Sequence, residues 1–287
     1  MTAIKQLRYE FNSPEPLSLH EDVPTITFRG AFGYALAQVL ARDETISEFS
    51  DKIDLYKAFF MTENTDPALS RNHNPSKPFV LRGYFSRPDL KSFILEVILL
   101  GVASEYESFF DKVIETIGYM GVGKRNAVCK CLKLSSRIVE TDFPASHEIL
   151  IDFITPTRLK SQDRIFSEEI PFSVLFARLY DRITEISSYY NDMTLNQDDE
   201  YAHHLKCLAA NIASEKVNGG NYHVSRTSSR TGDQIRLDGF VGEMRYTGDF
   251  GPFAGTLKYL PWVHVGRFSV FGCGWTTIRC NSYRTSK

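Results

Sequence analysis

The sequence predicts an α+β protein made of two β-α-β-β-α-β halves in tandem. Three observations predict it. Apolar residues recur at strand period in short runs and at helical period in longer ones, and this order appears twice along the 287 residues. A polar stretch, Thr141–His147, separates the two passes. Each pass also carries a glycine-rich basic turn near its end, Gly121-Val-Gly-Lys-Arg125 in the first and Gly266-Arg-Phe-Ser-Val-Phe-Gly-Cys-Gly274 in the second. Repetition at about half the chain length implies two copies of a split βαβ unit, with expected domains at residues 1–140 and 148–287.

In the first half, Ile4–Phe11 alternates and reads as a strand, followed by a proline-containing loop. Phe28, Phe32, Ala35, Leu36, Val39 and Leu40 then fall at helical spacing. Leu55–Phe60, Phe79–Phe85 and Phe93–Leu100 are strand candidates. Ser104-Glu-Tyr-Glu107 reads as a capping box for a helix with the stripe Tyr106, Phe109, Phe110, Val113, Ile114 and Ile117, and Gly118 as its stop. Ala127–Leu134 closes the half as a strand.

The second half opens with Ile149–Ile154 as a strand. Pro171 suits the first helical position of a helix with Phe172, Leu175, Phe176, Leu179, Ile183 and Ile186 in register. Asp192–Glu200 reads as a polar loop and Tyr201–Ile212 as an extra helix. Tyr222–Ser229 and Ile235–Tyr246 are expected to pair as a hairpin across Thr231-Gly-Asp233, with Phe240, Gly242, Met244 and Tyr246 on one face. Pro252–Leu260 reads as a short helix, and Trp262–Cys280 as strand, glycine-rich loop and strand.

A hydrophobic content of 43% and a charged content of 24% match a chain that buries a real core. The apolar run at Phe93–Val102 is too short for a membrane span and carries Glu96, and the N-terminus lacks the apolar core of an export signal. Five cysteines without a regular framework point to a reducing compartment, so a cytoplasmic protein with no membrane partner is expected. The net charge of −2 hides an asymmetry. From Leu205 to Lys287 there are eleven Lys and Arg against five Asp and Glu, an excess of six, while the remaining chain has 22 against 30. That distribution suits a C-terminal half facing a polyanion.

The glycine-rich turns are the main candidates for chemistry. Glycine lets backbone approach a phosphate, successive amides can form an anion nest, and Lys124, Arg125 and Arg267 add formal charge. Neither turn has the Walker pattern, and the strand–helix setting of a dinucleotide site is missing, so each is either a phosphate contact or a tight turn. His203, His204 and Cys207 share helical spacing, but no fourth ligand for a closed zinc site lies nearby in sequence. Cys129 and Cys131 alternate along a strand and read as ordinary thiols. No Gly-x-Ser-x-Gly elbow or His-Glu-x-x-His helix is present, and no metal or other cofactor is expected.

The block Leu237-Asp-Gly-Phe-Val-Gly-Glu-Met-Arg-Tyr-Thr-Gly-Asp249, with Trp262-Val-His-Val-Gly-Arg-Phe-Ser-Val-Phe-Gly-Cys-Gly274, resembles the C-terminal signature of the CRISPR-associated endoribonucleases that cut precursor guide RNA. These belong to the RAMP (repeat-associated mysterious protein) superfamily. Phe153-Ile-Thr-Pro-Thr-Arg-Leu159 and Arg226-Thr-Ser-Ser-Arg230 fit the same pattern, and Phe28-Arg-Gly-Ala-Phe-Gly-Tyr34 and Gly118-Tyr-Met-Gly-Val-Gly-Lys124 fit the N-terminal one.

The resemblance implies tandem ferredoxin-like (RRM-like) domains and metal-independent cleavage of CRISPR repeat RNA through attack of a 2′-hydroxyl. The implied partners are repeat and guide RNA, with other CRISPR effector subunits a further expectation. Many members place a histidine in or near the first helix; here Phe28–Leu40 has none, and His20 lies in the loop before it. His20, Arg29 and Tyr34 are therefore the catalytic candidates. Gly123, Lys124, Arg125, Arg226, Arg230, His264, Arg267, Gly272 and Gly274 are the RNA-binding candidates. The alternative is a catalytically silent RAMP subunit that binds guide RNA.

Overall fold

A computed structural model of the chain describes residues 4–42, 59, 76–190, 199–227 and 232–280. The chain divides into two compact units, Met1–Val139 with Glu185–Thr194, and Glu140–Thr184 with Leu195–Lys287.

The first unit runs β1 (Ile4–Asn12), α1 (Thr25–Arg42), β2 (Phe79–Phe85), β3 (Ser92–Leu100), α2 (Glu107–Met120) and β4 (Lys130–Ile138). Its sheet has the order β2-β3-β1-β4, with every pairing antiparallel. That is the ferredoxin-like arrangement. The apolar stripe of α1 packs on the sheet through aromatic rings: Phe28 lies 4.9 Å from both Phe11 and Phe93, and Phe32 lies 5.1 Å from Phe79 and 5.8 Å from Phe110. These rings are fully buried, so burial of α1 fixes where its remaining, exposed face points.

Three local expectations are corrected. Of Leu55–Phe60 only Phe59 is described, and it is helical instead of extended. The capping box does not form, because Ser104 is buried within a 3-10 turn at Gly101–Tyr106 and Tyr106 caps α2 without a side-chain bond. Gly118 does not stop α2, which ends at Gly121, where φ is +85° and the amide bonds the Ile117 carbonyl at 3.1 Å.

The second unit contains β5 (Glu148–Thr157), the small hairpin β6 (Leu159–Ser161) and β7 (Arg164–Phe166), α3 (Phe172–Tyr190) up to Thr184, α4 (Asp199–Leu208) and β8 (Ala213–Tyr222). A second small hairpin, β9 (Ser225–Thr227) with β10 (Gln234–Arg236), precedes β11 (Gly239–Thr247). Two helical turns, α5 (Ala254–Leu257) and α6 (Leu260–Val263), lead to β12 (Thr276–Cys280). The sheet order β12-β5-β11-β8 repeats the ferredoxin-like order of the first unit. Phe172 anchors this core, with Tyr246, Phe250 and Phe253 all within 5.5 Å, and the Tyr246 hydroxyl donates to the Ile170 carbonyl at 2.8 Å.

The expected hairpin divides differently. β11 pairs with β8, which the sequence did not reveal, while Ser225–Thr227 pairs only with Gln234–Arg236. β8 reads Ala-Ser-Glu-Lys-Val-Asn-Gly-Gly-Asn-Tyr, so it has no apolar alternation and takes its strand form from its partner. Trp262 lies in a helical turn and not in a strand. The polar loop expected at Asp192–Glu200 lies outside the described residues up to 198, and Asp199 and Glu200 already begin α4. No described helix is long and apolar enough to cross a membrane.

Candidate nucleic-acid interface

In the first unit the glycine-rich turn docks on the loop that carries His20. Val122 and Ala127 exchange two backbone bonds, which closes the turn, and the Lys124 amide donates to the Ser18 carbonyl at 3.2 Å. Gly123 has φ +82°, and a Cβ there would sit 2.6 Å from that same carbonyl. Only glycine therefore permits this docking. The result places Lys124 and Arg125, both exposed, beside a loop whose next residues are Leu19 and His20.

His20 does not hang free in that loop. Its backbone amide donates to Thr27 Oγ1 at 3.1 Å, and its Nδ1 accepts from the Val23 amide at 3.4 Å. A neutral ring held this way carries its proton on Nε2, an assignment made from the hydrogen-bond geometry. Thr27 lies on the same face of α1 as Tyr34, because seven residues turn the helix by roughly two full turns and advance it about 10 Å. Tyr34 is 63% exposed. Gly30 lies between them on that face, exposed, with nothing within 4 Å of where a Cβ would stand. His20 and Tyr34 thus flank a bare strip of helix.

Arg29 is not part of that strip. Five residues before Tyr34, it projects roughly 140° away around the helix. It is only 5% exposed, with its guanidinium 5.9 Å from the Phe32 ring centroid. Burial, with the nearby Arg29 charge second, lowers the pKa of Lys77 to about 8. Arg29, expected to stabilise charge on a substrate, is packed inside the unit.

In the second unit the loop after α6 folds back on the end of β5. Arg267 donates through its amide to the Arg158 carbonyl at 3.2 Å, Gly274 to Pro156 at 3.1 Å, and Val265 to Gly274 at 3.0 Å. Thr155 Oγ1 donates to the Gly272 carbonyl at 2.8 Å and accepts from the Trp275 amide at 2.9 Å. Gly274 has φ +77° and lies so close to the Val265 carbonyl that a Cβ would collide with it. Gly272 and Gly274 are buried, and the Gly272 amide bonds Ser269 at 3.0 Å.

In both glycine-rich turns many of the amides are already spent on internal carbonyls, so the glycines shape the turns, while Lys124, Arg125 and Arg267 are exposed. His264 lies on the inside. It is fully buried, its Nδ1 bonds the Cys273 carbonyl at 3.1 Å, and its ring lies parallel to Trp275, so it supports the loop from inside. Of the expected RNA-binding cations, Lys124, Arg125 and Arg267 are exposed and Arg226 is half-buried, while Arg230 lies outside the described residues. Sequence reasoning missed Thr27, Gly30 and Phe271, whose ring lies 4.3 Å beneath the Arg226 guanidinium. An unexplained glycine inside a helix was the available signal for Gly30.

Elsewhere, His203 Nε2 and Cys207 Sγ are 3.5 Å apart on exposed α4, and among the described residues no group of three or more potential ligands could hold a metal ion.

Residues 151–276 match the model of the CRISPR-associated endoribonuclease Cas6. Residues 2–151, just over half of the chain, match a second model, AF_1859_N, described as an N-terminal domain. The chain belongs to the AF_1859_N family, and its residues 151–276 are similar to Cas6. It resembles the CRISPR-associated endoribonucleases, as its motifs imply. The segment similar to Cas6 runs from within β5 to the start of β12 and so includes the second glycine-rich loop.

Two solved structures share the architecture at nearly full length. A Cas6 (TTHB231) product complex has a TM-score of 0.60 at 15% identity, over 97% of this chain and 99% of that one. A Cas6 (TTHA0078) product complex has a TM-score of 0.53 at 14% identity, over 97% and 100%. At these identities the likeness establishes the tandem ferredoxin-like fold. No curated protein matches the chain by sequence.

Proposed function

We propose that the chain is an endoribonuclease that binds CRISPR repeat RNA and cuts precursor transcripts into guide RNAs. The observation that carries this reading is the docking of the Gly121–Ala127 turn on Ser18, which brings Lys124 and Arg125 to the His20 loop beside an open helix face. The segment similar to Cas6 supports it from the other half of the chain.

In the proposed reaction the 2′-hydroxyl of the nucleotide before the cut attacks the adjacent phosphorus and loses its proton. The bond from phosphorus to the 5′-oxygen breaks, leaving a 2′,3′-cyclic phosphate and a 5′-hydroxyl. The nucleophile belongs to the substrate, so the protein supplies positioning, proton transfer and a cation, without a required metal. The imidazolium form of His20 gives its Nε2 proton to the departing oxygen and ends as the neutral ring, which requires Nδ1 to give up the bond from the Val23 amide. Tyr34 is the second proton-transfer group, and Lys124 with Arg125 stabilises the charge on the phosphorane. The strand crosses α1 at Gly30, while Arg226 and Arg267 hold RNA on the segment similar to Cas6.

Incubation with cognate repeat RNA in EDTA tests this reading. One cut is expected, with a cyclic-phosphate end, and a single 2′-deoxy substitution at the cut should abolish it while binding persists. Cutting of the deoxy substrate overturns the mechanism. RNA that is bound but never cut favours the second reading, a non-cleaving RNA-binding subunit, which the lack of histidine in α1 supports.

A further inference from the structure

Two arginines on the β9–β10 hairpin are treated in opposite ways by the fold. Arg236 is neutralised: its Nε donates to Asp238 at 2.7 Å, and His223 lies 3.4 Å from the same carboxylate. Arg226, across the hairpin, has no carboxylate at ion-pair distance among the described residues, and its Nε is buried without a hydrogen-bond partner. Its guanidinium carbon instead lies 4.3 Å from the centroid of the Phe271 ring. Burial disfavours its charged form and lowers its pKa from the usual arginine value. A half-buried cation of this kind is costly, and the ring's negative face offsets only part of that cost.

The ring is held with unusual care. Phe271 ends the 3-10 turn Ser269–Phe271, which lies between two left-handed residues, Phe268 at φ +65° and Gly272 at φ +93°. The Phe268 ring meets it edge-on at 6.3 Å. With the amides of Val265, Arg267, Phe271, Gly272 and Gly274 bonded internally, a supported side-chain cation offers an anion formal charge that the loop backbone lacks.

We propose that Arg226 and Phe271 form a phosphodiester clamp, in which the Phe271 ring holds the guanidinium in place for the backbone of bound RNA. The clamp rests on the proposed function. A stacked guanidinium keeps its in-plane donors available, which suits a phosphate with two acceptor oxygens. Phe271 is a positioning residue and Arg226 the contact.

The test measures binding of cognate repeat RNA at about 50 and 200 mM salt, the range over which phosphate contacts register. Wild type, Arg226→Lys, Phe271→Leu, Phe271→Tyr and the Arg226→Lys/Phe271→Leu double variant are compared, each checked for folding by thermal melting. Phe271→Leu keeps the apolar volume and removes the ring; it should weaken binding roughly three- to tenfold, the scale of a lost cation–π contact. It should also flatten the dependence of affinity on salt. Phe271→Tyr should rescue both, and the double variant should bind no worse than Arg226→Lys alone. Wild-type affinity and salt dependence in Phe271→Leu, or additive losses in the double variant, overturn the clamp and leave RNA binding standing. If wild type itself fails to bind repeat RNA, the functional reading falls and the clamp falls with it.

Discussion

Replacing Gly30 with alanine sets stability against function on the exposed face of α1. Gly30 is inside an 18-residue helix, and an added Cβ would meet nothing within 4 Å. Packing therefore gives no reason for glycine, and helix propensity argues against it by about 0.5–1 kcal/mol relative to alanine. Gly30→Ala should raise the melting temperature by roughly 2–5 °C for a unit of this size. The proposed RNA path makes the opposite demand. A methyl group there pushes an RNA backbone in van der Waals contact outward by about 1 Å, and a displacement of that size can cost up to about 10²-fold in rate. The assay pairs thermal melting with single-turnover cleavage of repeat RNA. A variant that melts higher and cuts more slowly supports the path, whereas one that melts higher and cuts at the wild-type rate removes RNA from this face.

His20→Ala should slow cleavage by about 10²-fold or more while RNA affinity measured by filter binding changes little, as expected for lost proton transfer. Phe28→Ala should cost about 3–5 kcal/mol in denaturant unfolding, because the ring bridges Phe11 and Phe93 in the first core. Lys77 has its pKa lowered from 10.5 to about 8, so between those values the unfolded chain binds more protons than the folded one. Stability should thus rise with pH from about 8 towards 10, and melting curves of Lys77→Met should lose that rise. Glu107 has its pKa lowered to about 2, chiefly by its bond to Lys133. Its stabilising effect is complete above pH 4.5 and fades as pH falls toward 2; Glu107→Gln should show a weaker acid transition, by less than about 1 kcal/mol because the pair is partly exposed.

Much of the architecture was legible because apolar spacing and buried rings coincide. The stripes of α1, α2 and α3 predicted their buried faces, and Phe93–Leu100 was recognisable as a strand from an apolar run broken only by Glu96. β8 was not legible, since its glycines and polar residues become a strand only beside β11. The capping box failed for a related reason: local hydrogen-bonding capacity at Ser104 lost to burial of that residue in a tighter turn. At the candidate interface, the cations and the glycine turns were legible, but which turn amides are bonded internally was not. Whether an amide is free or spent depends on which carbonyl the fold brings to it, and neither Ser18 nor Arg158 is near its partner in sequence. The burial of Arg29 was not legible, because residues one apart point to different sides of a helix and the burial of Phe28 and Phe32 decides where Arg29 goes.

The spent amides also bear on how the protein can change. A grip made of backbone amides is common to every residue type and can be altered only by rebuilding the turn. A grip made of Lys124, Arg125, Arg226 and Arg267 can be altered one codon at a time, with the turns untouched. Each cation can be lost, moved by a few residues or traded for a polar group, in small steps of affinity. Under the proposed function, a scaffold of this kind can retune its hold on a polyanion without passing through an unfolded ancestor.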